Sequence, residues 1–212
     1  MKILTRCWLI IACAATTQVI ITAKPGEPGG PGEYRDFKVL KTYSAKEGDD
    51  IFRAFVIEWQ GQEVIAMDAG ALIKARSDDP INVLVSRGLP WAGESLGRIL
   101  FLARPEKKPP LERTQILDTP AEVTAANPPV VAQLRVNKVY ALKDSAYDFR
   151  AYEVEWKGQE VIVYDPGANT TYEVGETVTV MVSKRPYPDH SKPHGVIGFS
   201  LLRRGTTRLK QR

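Results

Sequence analysis

IFRAFVIEWQGQEVIAMDAG, residues Ile51–Gly70, and DFRAYEVEWKGQEVIVYDPG, residues Asp148–Gly167, are the same stretch of chain twice over, identical at 12 of 20 positions with a constant offset of 97. Without a gap, that offset also pairs Tyr43 with Tyr140 before the stretch and Val83, Val85 and Ser86 with Val180, Val182 and Ser183 after it. Two copies at so long a period predict tandem domains. A solenoid repeats every 20 to 50 residues or so and needs at least three units to cover a core.

Inside each copy the apolar residues alternate. Phe55, Ile57 and Trp59 share one face in the first copy, and Tyr152, Val154 and Trp156 share it in the second, which predicts half-buried strands. Gln60-Gly61 and Lys157-Gly158 then stand where two-residue hairpin turns are expected, with glycine accepting positive φ. The next strands are Gln62–Met67 and Gln159–Tyr164, ended by turns at Asp68 and Asp165. Further alternation at Val178, Val180 and Val182 follows the Gly175 corner. Val196–Leu202 and Arg98–Ala103 supply the last strands, and Phe37–Tyr43 and Leu134–Leu142 the first. At most one helical turn, Ala71–Ala75, is expected between the third and fourth. The expected fold class is all-β: two tandem small five-stranded β-barrels, OB-like as first choice and SH3-like as second, after an N-terminal signal peptide. A small open sandwich also fits, since periodicity gives strands but not their pairing.

The start of the chain reads as an export signal. Lys2 and Arg6 precede an uncharged stretch from Cys7 to Ala23, and the first acid is Glu27. Thr16, Thr17 and Gln18 leave the run short of the roughly 20 apolar residues a permanent span needs, so residues 1–23 are expected to be a cleaved signal peptide. Ile10-Ile11-Ala12-Cys13 also looks like the box before a lipid-modified cysteine, but only about six residues separate Arg6 from Cys13, fewer than an h-region normally holds. Residues 24–33 form a Pro/Gly spacer, 34–104 the first barrel, 105–130 a Pro-rich linker, 131–203 the second barrel and 204–212 a basic tail. Cys7 and Cys13 are the only cysteines, so a mature chain beginning near Lys24 has neither disulfides nor thiolate metal sites, and its barrels must stand on apolar cores. Removing Lys2 and Arg6 leaves 27 basic against 25 acidic residues. That near-balance argues against nucleic acid, which needs clustered cations; only Arg203, Arg204, Arg208 and Lys210 are dense enough, as a frayed terminus or an arm for anionic lipid or polymer.

Candidate chemistry is sparse. His190 and His194 sit among Pro186, Pro188 and Pro193, so their four-residue spacing is not the helical spacing of a zinc clamp; they are weak metal candidates and no metal site is assigned. Glu58 and Glu63, like Glu155 and Glu160, straddle the hairpin and are expected to face solvent or, across the pair, Arg53 or Arg150. No phosphate loop, zinc-protease helix or serine elbow occurs, so neither an enzyme nor a cofactor is expected. Trp156, like Trp59, lies on the apolar face and reads first as core. As an exposed ring it would be a stacking platform, together with Trp91 and Tyr187 in the loops between the fourth and fifth strands.

Tyr172-x-Val174-Gly175-x-x-Val178-x-Val180, with the strand–hairpin–strand before it, is similar to small extracytoplasmic OB-like β-barrel modules of bacteria, many with no assigned activity. The resemblance covers one module. It implies a binding or assembly role and carries no functional residue. The expected protein is thus periplasmic or secreted and non-enzymatic, a binding or scaffold protein whose partner is an envelope or extracellular protein. The alternative is a carbohydrate or anionic-lipid binder using exposed aromatics and the basic tail.

Overall fold

The fold is taken from a computed structural model that describes residues 32–89, 96–105, 128–142, 146–165, 170–185 and 195–202. The expected signal peptide and the basic tail lie outside the described residues, as do nearly all of the spacer and linker. Among the described residues there are twelve strands and no helix. In chain order they are β1 (Glu33–Lys38), β2 (Lys41–Glu47), β3 (Asp50–Trp59), β4 (Gln62–Met67), β5 (Pro80–Gly88), β6 (Gly97–Arg104), β7 (Val130–Ala141), β8 (Tyr147–Asp148), β9 (Arg150–Trp156), β10 (Gln159–Asp165), β11 (Thr177–Arg185) and β12 (Val196–Leu201).

The first six strands close a five-stranded barrel, because β1 and β2 are two halves of one bent strand. β2 pairs antiparallel with β3, β3 with β4, β5 with β6 and β1 with β5, while β4 joins β6 in parallel at Met67 and Leu102. Of the last six, all but β8 follow the same circuit, and β8 pairs with β6. β7 pairs with β9, β9 with β10, β11 with β12 and β11 with β7, and β10 joins β12 in parallel at Tyr164 and Ser200.

The bend has one cause in both barrels. The first strand must leave its partner on one side (β5 or β11) and take up another (β3 or β9). In the first barrel it breaks at Val39 and Leu40; in the second it stays continuous but shifts register between Val136 and Lys138. Val39 and Val136 stand at the same place in the repeat. Each is buried, and each donates its N–H to a loop carbonyl, Asp79 O at 3.0 Å and Glu176 O at 2.8 Å, so the extra residue leaves no buried donor unpaired.

Both hairpins form as the sequence predicts. Gln60 and Gly61 have φ of 52° and 75°, and Lys157 and Gly158 have 51° and 74°, the two positive values that a type I′ turn needs to match strand twist. Phe55, Ile57, Trp59, Tyr152, Val154 and Trp156 are all buried in the core. The helical turn allowed at Ala71–Ala75 is absent. Ala71 takes φ 49°, and the loop is instead gathered by Asp68, which accepts the Ile73 N–H at 2.7 Å and the Gly70 N–H at 3.3 Å, and by Arg53, which donates to Ala71 O and Ile73 O. Asp165, Arg150 and Thr170 repeat this in the second barrel, Thr170 N–H reaching Asp165 at 3.0 Å and Arg150 donating to Thr170 O.

Candidate functional site

Where strands alternate, one face should meet the core and the other water. Here the second face is covered too: Ala54 and Val56 on β3, and Ala151 and Glu153 on β9, are as buried as the core. What covers each is the other barrel.

The seam is built from residues that correspond in the repeat. The hydroxyls of Tyr43 and Tyr140, 97 positions apart, meet at 2.7 Å. Lys41 Nζ reaches Glu160 at 2.7 Å, and its counterpart Lys138 reaches Glu63, the counterpart of Glu160, at 2.5 Å. Each lysine also lies over its own barrel's tyrosine ring, 4.4 and 4.6 Å from the centroid. Phe52 stands edge-on to Phe199 at 5.1 Å, and its counterpart Phe149 stands edge-on to Phe101 at 5.6 Å. Contact i to j on one side is matched by j to i on the other, the pattern of a two-fold interface. Because Phe101 also packs on Trp59 and Phe199 on Trp156, the two apolar cores are continuous through the seam.

The strand pairing follows the same rule: β12 pairs with β3 at Val196 and Ile51, and β6 with β8 at Arg98 and Asp148. Beside these pairings Ile51 donates to Gly195 O at 3.0 Å and Gly97 donates to Ala146 O at 2.9 Å. The loop between the fourth and fifth strands of each barrel is thus tied at its stem to the loop between the first and second strands of the other.

Glu153 breaks the symmetry. Its counterpart is Val56. Glu153 is 7 % exposed, accepts a hydrogen bond from the Tyr43 hydroxyl and lies 3.3 Å from Lys41 Nζ. Burial, and then the bond to Glu153, push the Tyr43 hydroxyl far above the ordinary tyrosine range. Burial alone would lower Lys41, but its bonds to Glu160 and Glu153 carry it above the ordinary lysine value. At the rim, Glu47 is held below the usual carboxylate range by hydrogen bonds from Lys157 and Lys184.

Glu63 and Glu160 are exposed to solvent, as expected, but neither reaches an arginine of its own hairpin: each bonds a lysine of the other barrel, while Arg53 and Arg150 serve the loops after β4 and β10. Trp156 is not an exposed platform: its ring is buried edge-on to Phe199 at 5.3 Å with Lys157 Nζ 4.8 Å above it. The outer faces of β3 and β9 are occupied by barrel-to-barrel contact. Trp91, Tyr187, His190, His194, Arg203, Arg204, Arg208 and Lys210 lie outside the described residues. Among those described, no three His, Cys, Asp or Glu side chains gather to hold a metal, and no helix is long and apolar enough to cross a membrane.

No protein-family model and no curated protein matches the chain. Among solved structures it aligns with one described as "Structural mimicry for functional antagonism" (12% identity, 78% of this chain and 88% of that one, TM-score 0.23). Two others are "Structure of murine DNA binding protein bound with ds DNA" (15%, 81% and 96%, 0.22) and "Crystal structure of Ifi202 HINa domain in complex with 20bp dsDNA" (11%, 80% and 97%, 0.22). Similarities this loose leave the functional reading to the chain's own residues.

Proposed function

We propose that this chain is an exported, non-enzymatic binding or scaffold protein, made by tandem duplication of an OB-like module, whose partner is an envelope or extracellular protein. The strand circuit, with its parallel closure between third and fifth strands, supports an OB-like rather than an SH3-like barrel, and the repeat of the circuit supports duplication. The observation that carries the functional reading is the pair of stem bonds, Ile51 to Gly195 and Gly97 to Ala146. They fix the stems from which the loops bearing Trp91 and Tyr187 leave the two barrels, so a partner that contacts both loops would gain avidity through effective concentration. With the outer faces of β3 and β9 occupied, the loops are the surface this reading assigns to the partner.

The test is a pull-down from envelope extract with residues 24–212, run beside Trp91→Ala, Tyr187→Ala and a chain ending before Arg203. Recovery of one protein, weakened by each loop substitution and indifferent to the tail, is expected. Retention of glycan or anionic vesicles instead, lost with the tail, would overturn the reading in favour of a carbohydrate or lipid binder.

A further inference from the structure

The seam contains one hydrogen-bonding problem that only unlike barrels solve. At its centre are two hydroxyls, each with one proton to give. The Tyr43 proton goes to Glu153, so across the 2.7 Å contact the donor is Tyr140. Two protons serve two bonds, and every buried oxygen is matched. Place two second barrels face to face by the same two-fold operation and both tyrosines donate to a Glu153. The tyrosine oxygens would then meet with no proton between them, beside two buried carboxylates. Place two first barrels together and there is no carboxylate, because Val56 stands in its position; one hydroxyl proton has no acceptor. A buried polar group without a partner is costly, and both like pairs leave one.

Much of the seam does not discriminate. Lys41 and Lys138, Glu63 and Glu160, Phe52 and Phe149, and Phe101 and Phe199 exchange places under the operation, so their contacts would form in any pairing. The rim is unlike too, with Lys157 and Lys184 reaching Glu47 where their counterparts are Gln60 and Arg87, but those ion pairs are partly solvated and weak, so the buried acid is the centre of the selectivity.

We propose that this seam is a pairing surface selective for unlike barrels, and that a second copy of this chain is a partner it fits, by exchange: the first barrel of each copy seats on the second barrel of the other. Residues 105–129 separate β6 from β7, and a chain of that length spans up to about 80 Å when extended, enough to serve either arrangement. Within one chain the tether supplies an effective concentration on the order of mM, so the closed monomer dominates in dilute solution and exchange needs concentrations approaching that value.

Moving the acid tests this directly, using the chain from residue 24 to 212. Glu153→Val leaves no carboxylate at the axis and Val56→Glu leaves two; each should lower the unfolding midpoint. Combined in one chain, Val56→Glu with Glu153→Val places the single acid on the other side, accepting from Tyr140, and should restore the midpoint to near that of the unmodified protein. Refolding the two single variants together should give an exchanged heterodimer by light scattering, since both of its seams then hold one acid. Its yield should exceed dimer from either variant alone by about tenfold or more, the ratio that one unmatched buried group commands. If the combined variant instead falls by the sum of the two losses, or the mixture gives no more dimer than its components, the one-acid rule is overturned. Should Val56→Glu alone fail to fold, the combined variant still decides the matter.

Discussion

At the scale of the residue, Tyr43 and Tyr140 show that one residue type at equivalent positions need not carry equal weight. Tyr43 donates to Glu153 and accepts from Tyr140; Tyr140 takes part only in the second of these bonds. Tyr43→Phe should therefore cost more than Tyr140→Phe, about 1–3 kcal/mol for the first, because it removes both bonds and leaves the buried Glu153 oxygen only the longer contact to Lys41, against about 0.5–1.5 for the second. Chemical denaturation of the two variants checks the order, and equal losses would mean the carboxylate is satisfied elsewhere. The turn residues give a second contrast. Gln60 and Lys157 both sit at positive φ, where Asn is better suited, so Gln60→Asn should stabilise by about 0.5 kcal/mol. Lys157→Asn should not, since Lys157 also bonds to Glu47. The glycines of these turns and the loop-capping role of Asp68 were legible in the sequence, because turn chemistry is local. Glu153 was not: read in its own copy it is a polar residue in an alternating strand, and only the break from valine at an offset of 97 marks it.

At the scale of the element, most strand limits followed from alternation, and β4 matches its expected span. The departures share a cause, which is contact from outside the element. Residues 71–75 left room for at most a helical turn, and none forms because Arg53 on β3 and Asp68 after β4 claim the loop's backbone groups. The outer faces of β3 and β9 carried no signal of a second burial, since alanine and valine suit either a covered or an exposed strand face. Gly97, at the start of β6, is the glycine whose lack of a side chain the seam requires: a Cβ there would lie 2.7 Å from Gly88 O and 3.0 Å from the Tyr147 ring. Gly97→Ala should accordingly cost about 1–3 kcal/mol by overpacking. Its effect should reach both the end of β5 and β8, as chemical-shift changes around Gly88, Tyr147 and Asp148 would reveal.

At the scale of the whole molecule, the sequence led to an expectation of two modules but gave no sign that they share one core; pairing between them depends on residues that each copy also needs for its own surface. The rim ion pairs set a pH window. Glu47 is lowered in the folded state, so its contribution is complete above the ordinary value of 4.5 and is lost as pH falls through the lower folded value. Lys41, Lys138 and Lys184 are raised, so theirs is complete below 10.5 and is lost as pH rises through the higher folded values. Asp68 runs the other way. Burial raises it above 3.8, so its contribution declines as pH climbs from below 3.8 through the raised value. Thermal unfolding should show a plateau between these limits, and Glu47→Gln should flatten its acid side; because these pairs are largely solvated, the amplitude should be small and should shrink further in salt.

That the two barrels form one body is tested most directly by hydrogen exchange at two amides, Ile51 and Gly97, whose bonds run from one barrel to the other. If the seam is part of the folded core, both should exchange only with global unfolding, at the rate of ladder amides such as Val64 or Val161. Exchange of Ile51 and Gly97 at the rate of exposed loop amides, while the ladders stay protected, would contradict the account and describe two barrels that merely share a chain.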